Sequence, residues 1–180
     1  MKWLDHRRLI FLDESGFKLA QDRRYGWAPS GEKPVLRGTA CAQGFTLIGA
    51  IGLDGVRALR IQKEAANKDN FLDYVEQDLI PTLRRGDIVC MDQLQVHKNP
   101  AVFAALRRIG TFVLFLPTYS PEFNAIEAIW SWIKGQLTQN VPLEMAVLMA
   151  EVRKLWSQVS AELCRACIEH CGYTFEVQEA

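Results

Sequence analysis

Two short apolar runs, Leu9-Ile10-Phe11-Leu12 and Ile88-Val89-Cys90-Met91, are each closed by an aspartate, Asp13 and Asp92. A run that is apolar at every position, without alternation, suits a strand buried on both faces of a sheet. Two such strands lying parallel and adjacent would place both carboxylates at one sheet edge. Carboxylates gathered there repel and raise one another's pKa, so the arrangement is costly unless a divalent cation sits between them. Oxygen-only ligands favour Mg²⁺ or Mn²⁺ over Zn²⁺.

The intervening sequence supplies the rest of a sheet. Phe45 to Ile51 and Val56 to Ile61 flank Leu53-Asp54-Gly55, and the Asp-Gly pair tolerates the positive φ of a hairpin turn. These predict antiparallel partners for the first strand. The stretch from Phe17 to Gly38, rich in Gly, Pro and charge, predicts an irregular or hairpin insertion. Phe71, Val75 and Leu79 predict a helix from about Lys68 to Ile80 before Pro81. Asn99 as N-cap with Pro100 at the first helical position predicts a second helix ending near Gly110. Phe112 to Leu116 reads as a further buried strand. Ile126, Trp130, Ile133 and Leu137 make one apolar helix stripe, and Pro142 is expected to open a last long helix through Met145, Met149, Val152 and Trp156. Three antiparallel strands followed by alternating helices and parallel strands predict an RNase H-like α/β domain, a mixed five-stranded sheet with helices on both faces, over residues 1–159, with a C-terminal helical tail over 160–180.

A third acid should come from a helix packed on the carboxylate edge, and Glu127 is the candidate. Ser131 and Lys134 share its helix face, because steps of four and seven residues return to nearly the same direction. Lys134 could thus approach a phosphate held at the site. Glu127 has a second reading, since Asn124 as N-cap and Glu127 three positions on make a capping box.

The segments LIFLDES (9–15), IVCMDQLQVHK (88–98) and LPTYSPEFNAIEAIWSWIK (116–134) together resemble the catalytic domain of mariner-like insertion-sequence transposases, in the DDE superfamily. By that resemblance Asp13, Asp92 and Glu127 match the family's acidic triad, and the 34 residues between Asp92 and Glu127 match its usual spacing. The chain has Gln93 where the family commonly has Asn, and Ala125 where it commonly has Pro. The resemblance implies metal-dependent strand cleavage and strand transfer on DNA by the triad, with two Mg²⁺ ions, or Mn²⁺ in their place. It implies DNA partners, both element ends and target, and a homodimer in the active complex. His97 and Lys98 match a family His-Lys pair and could meet DNA phosphate. With Asp13 only twelve residues after Met1, the family's end-binding helix-turn-helix region is expected on a separate half. Two alternatives stay open here: a related metal-dependent nuclease that cuts without joining, and an inactive remnant serving only as a folding or interaction module.

Charge does not decide the partner. The 21 basic and 21 acidic residues cancel, although residues 1–37 carry +3 and residues 140–180 carry −3, an asymmetry too modest to mark a nucleic-acid groove. The longest apolar runs fall far short of the ~20 residues that cross a bilayer, so no membrane partner is expected. Five cysteines and no signal core argue for reduced thiols and a cytoplasmic, nucleoid-associated location. Cys164, Cys167, His170 and Cys171 have a zinc-like composition. One rigid helix cannot wrap four ligands tetrahedrally, so a buried thiol stripe is the expected role.

Overall fold

The computed structural model describes residues 5–19, 44–137, 142 and 144–175. Five strands, β1 (Leu9–Lys18), β2 (Gly44–Gly52), β3 (Gly55–Gln62), β4 (Ile88–Met91) and β5 (Phe112–Phe115), form one sheet in the order β3-β2-β1-β4-β5. β1, β2 and β3 pair antiparallel, whereas β4 lies parallel to both β1 and β5. The hairpin expected at Leu53-Asp54-Gly55 is present, with Gly55 at φ 116°. The expected insertion lies largely outside the described residues.

β1 is the middle strand and explains its own composition. Side chains alternate between faces: Leu9 and Phe11 enter one hydrophobic core, and Ile10 and Leu12 enter a second on the opposite face. The second core is closed by α1 (Lys68–Tyr74) and α2 (Pro100–Arg108) through Phe71, Tyr74, Val102 and Leu106. The first is closed by α3 (Ile126–Leu137), α4 (Met145–Gln158) and α5 (Ala161–His170). Ile126, Ile129, Trp130, Ile133 and Leu137 form the buried stripe of α3. The Trp130 ring stacks on Trp156 at 5.3 Å, and both rings lie over Gly49, where a Cβ would fall 2.5 Å from a Trp130 ring carbon. Gly49 is the gap in β2 that admits the two indoles.

Local chemistry sets the helix boundaries. Asn67 caps α1 by accepting from the Asp69 and Asn70 N–H groups, while the Asn70 side chain accepts from the Asn67 N–H. α1 runs on as a π-helical turn over Val75–Leu79 and a 3₁₀ turn over Ile80–Thr82. Pro81 has no N–H, and its ring crowds the carbonyl four residues back, so the turn before it widens. Asn99 caps α2 as expected, its side chain accepting from the Ala101 N–H at 3.1 Å.

Two expectations are corrected. β5 is an edge strand, with Phe112 64% exposed, and its apolar run does not signal burial on both faces. The last helix begins at Met145 rather than Pro142 and ends at Gln158, where the Ser160 hydroxyl accepts from the Leu163 N–H and starts α5. Cys164, Cys167 and Ile168 of α5 are buried in the same core as α3, with Cys171 packed against it. Burial pushes the Cys164 thiol up to about 12, with Cys167 and Asp54 adding to the shift. Among the described residues no helix is long and apolar enough to cross a membrane.

Candidate active site

The parallel register of β1 and β4 pairs Leu9 with Ile88 and Phe11 with Cys90. Two more steps along each strand carry Asp13 to the level of Asp92. Both aspartates line one cleft of about 320 Å³ together with Gln93, Leu116, Asn124 and Glu127. Strand alternation puts Asp13 on the α3 side of the sheet, and Glu127 comes from the first turn of α3. The sheet edge and one helix therefore deliver all three predicted acids to the same cleft.

Their environments differ. Asp13 is 7% exposed; burial, then the charges of Glu127, Glu14 and Asp92, push its carboxyl up to about 8. Asp92 is half-exposed, and burial tends to raise its pKa. The His97 hydrogen bond and the Leu94 N–H outweigh that and hold it below the usual carboxylate range. Glu127 is exposed, and its carboxylate makes no hydrogen bond or ion pair among the described residues.

The capping box expected at Asn124 does not form. α3 begins at Ile126, the Asn124 side chain donates across to the Leu12 carbonyl at 3.5 Å, and Asn124 Oδ1 has no partner among the described residues. Glu127 contributes only its backbone N–H, donated to the Asn124 carbonyl. Its carboxylate is left to the cleft.

The donor set fits a hard divalent cation: three carboxylates around one cleft, one of them raised by burial and by the neighbouring acids. Among the described residues, however, no group of three or more His, Cys, Asp or Glu side chains converges closely enough to hold an ion as the side chains stand. Binding would require the exposed Glu127 to close on Asp13 and Asp92.

Comparison with protein-family models matches residues 8–146 to the DDE superfamily endonucleases. The chain belongs to the DDE superfamily. This DDE domain shares its fold with the Mos1 mariner transposase. It aligns with the Mos1 paired-end complex with Mn at TM-score 0.76 and 16% identity, covering 95% of this chain and 57% of that one. For the Mos1 strand transfer complex the values are 0.73 and 16%, with 94% and 56% covered. Against the isolated catalytic domain of Mos1 they are 0.67 and 13%, with 95% and 85% covered. The chain thus spans a little over half the length of the chains in the Mos1 complexes it matches. Comparison with curated protein sequences returns no match. The mixed sheet with helices on both faces is the RNase H-like fold that the element order predicted.

Around the acids of the DDE domain, the remaining predicted residues separate. Lys98 is exposed at the cleft rim, its Nζ donating to Gln93 Oε1 at 3.5 Å, while the Gln93 amide donates to the Leu116 carbonyl at 3.2 Å and so ties the β4 end to the β5 end. Lys134 is not brought to the cleft; its ammonium lies over the Phe17 ring at 5.4 Å. His97 is corrected more sharply. It is fully buried, with both ring nitrogens engaged, so it has no surface to offer a DNA phosphate. One partner, Glu14, was missed in the sequence. The available signal was an acid two residues after Leu12 on a strand face already committed to a core.

Proposed function

We propose that this domain is the catalytic part of a DNA transposase, cleaving and transferring DNA strands by phosphoryl transfer at Asp13, Asp92 and Glu127. The observation that carries it is the delivery of these three carboxylates, from the middle of β1, the end of the adjacent parallel β4 and one helix, to a single cleft. Asp13, Asp92 and Glu127 would hold two Mg²⁺ ions, or Mn²⁺. Bound there, the metals would supply activation of the attacking hydroxyl and neutralisation of the departing oxygen in an in-line displacement. Asp13 is the fixed member, shielded from water by the β1 edge and α3. Glu127, unpaired in the first turn of α3, is the member free to adjust. Lys98, which reaches the cleft residue Gln93, would meet a DNA phosphate. DNA as partner has support in the Mos1 matches, which are paired-end and strand-transfer complexes. A separate helix-turn-helix half and a second copy of the chain belong to the same proposal.

Glu127→Gln tests the assignment, because the amide keeps the size of the side chain and removes its charge. In a supercoiled-plasmid nicking assay with Mg²⁺ or Mn²⁺, cleavage should fall by at least about 100-fold, the upper end of what losing only a ligand's hydrogen-bond partner costs. Cleavage that survives unchanged removes Glu127 from the triad. Joining of a pre-cleaved 3′-hydroxyl end to a target duplex then separates a transposase from a nuclease that only cuts.

A further inference from the structure

The buried His97 lies between two acids on different elements. Its Nδ1 is 2.7 Å from Asp92 Oδ1, and its Nε2 is 2.9 Å from Glu14 Oε1, 83 residues away in the chain. Asp92 Oδ1 also accepts from the Leu94 N–H at 3.0 Å, and the His97 N–H donates to the Leu94 carbonyl at 3.1 Å. The imidazole is held edge-on by this turn and from the side by Phe71, whose ring centroid lies 4.6 Å away. Glu14 is itself nearly enclosed, with Oε2 buried and lacking a hydrogen-bond partner among the described residues. It reaches His97 from the sheet face opposite to Asp13.

A buried imidazole flanked by two acceptors must donate from both nitrogens, and the nearly enclosed Glu14 carboxylate needs a donor. The bridge therefore ties the middle of β1 to the turn after β4, the two places that carry Asp13 and Asp92. Of the two Asp92 oxygens, Oδ1 is committed to this bridge, and Oδ2 has no hydrogen bond among the described residues.

We propose that His97 and Glu14 are positioning residues for the acidic site: the Glu14–His97–Asp92 bridge fixes the Asp92 carboxylate against the β1 edge so that its second oxygen is presented to a divalent cation. This rests on the proposal that Asp92 is a cation ligand. Partners of this kind to a ligating group typically contribute 10- to 100-fold in metal affinity.

The test is a Mn²⁺ titration of the full 180-residue chain, followed by the EPR signal of free Mn²⁺, alongside a thermal melt of each variant. His97→Asn keeps an amide donor at the Nδ1 position, facing Asp92. His97→Gln moves the donor to the Nε2 position, facing Glu14. H97Q should weaken Mn²⁺ binding by about 10- to 100-fold, and H97N by less than about 10-fold. A role in packing alone gives the opposite order, because the longer Gln fills the imidazole space better and affinity would follow melting temperature; that result overturns the proposal. Glu14→Ala leaves Asp92 and His97 intact and needs neither His97 variant to fold. It should weaken binding about 10-fold, and unchanged affinity overturns the bridge. Asp92→Asn distinguishes the two levels. If D92N leaves Mn²⁺ binding intact, the cation site itself is wrong; if D92N abolishes binding while H97Q and E14A do not alter it, only the positioning role fails.

Discussion

Replacing Asp13 with Asn is expected to yield a more stable and inactive protein. Asp13 is 7% exposed, and its carboxyl is pushed up to about 8, first by burial and then by the charges of Glu127, Glu14 and Asp92. An unfolded chain releases that proton near pH 4. Between about pH 4 and pH 8 the folded state therefore holds a proton that the unfolded state has lost, and metal-free stability falls as pH rises through that window. Asn cannot ionise, so its advantage over the wild type should be absent below about pH 4 and largest at about pH 8 and above. There it should reach about 1–2 kcal/mol, or about 2–4 °C in Tm per kcal/mol for a chain of this size. Metal-dependent cleavage should fall by at least about 100-fold. Thermal melts in metal-free buffer from pH 4 to pH 9 check the first half, and plasmid nicking checks the second. A D13N protein that melts at or below the wild-type temperature throughout would falsify the claim that this carboxylate is stored at a cost.

His97 adds a second pH dependence of the same sign in a different window. Burial lowers its pKa, but the bonds to Asp92 and Glu14 outweigh that and hold it at about 10. The stability it contributes is complete below its ordinary value near 6.5 and is lost as pH rises through about 10. Because D13N retains His97, the difference between the two melting curves isolates Asp13.

The largest loss of stability is expected from Trp130→Ala, about 3–5 kcal/mol. Trp130 is 1% exposed, stacks on Trp156 and fills the space above Gly49. Ala in its place leaves a cavity that the rigid sheet below cannot close. A urea unfolding curve should show a lower midpoint with an unchanged slope, and a loss under about 1 kcal/mol would mean that the indole pair is not the anchor of α3. Glu127 lies three residues before Trp130, so the same packing sets the direction of the third acid. Among the described residues the buried Trp130 indole N–H has no hydrogen-bond partner, so within them the anchor is one of volume and stacking.

Much of this site was legible in the sequence because its signals are local. An apolar run closed by an acid states that a strand is buried, and β1 and β4 each carry that statement; it also marks the end of β4 at Met91, whereas β1 runs on past Asp13 to Lys18, paired with β2. The apolar stripe of α3 likewise fixed which helix would bring Glu127. What failed was non-local. The capping box at Asn124 was a sound local pattern, but Asn124 turned instead to the Leu12 carbonyl of β1, 112 residues away in the chain. Burial of Phe112 to Phe115 was inferred from composition, yet exposure of a strand depends on whether another pairs beside it, and none of the described strands pairs with the outer side of β5. His97 gave no local sign of burial, since its second partner sits on a strand formed far earlier in the sequence. Glu14 did leave a sign, an acid on a face that its neighbours had made apolar.

β1 is shared by both hydrophobic layers. Removing either one would strip one side of the strand that carries Asp13, so neither layer has an independent route to melting. Loss of the cleft and loss of the fold should coincide as one calorimetric transition, with van't Hoff and calorimetric enthalpies equal. The amides of β1 should be among the last to exchange with deuterated solvent. Asp13 is thereby placed at the slowest-opening part of the molecule, and the proposed acidic site should not persist in a partly unfolded chain.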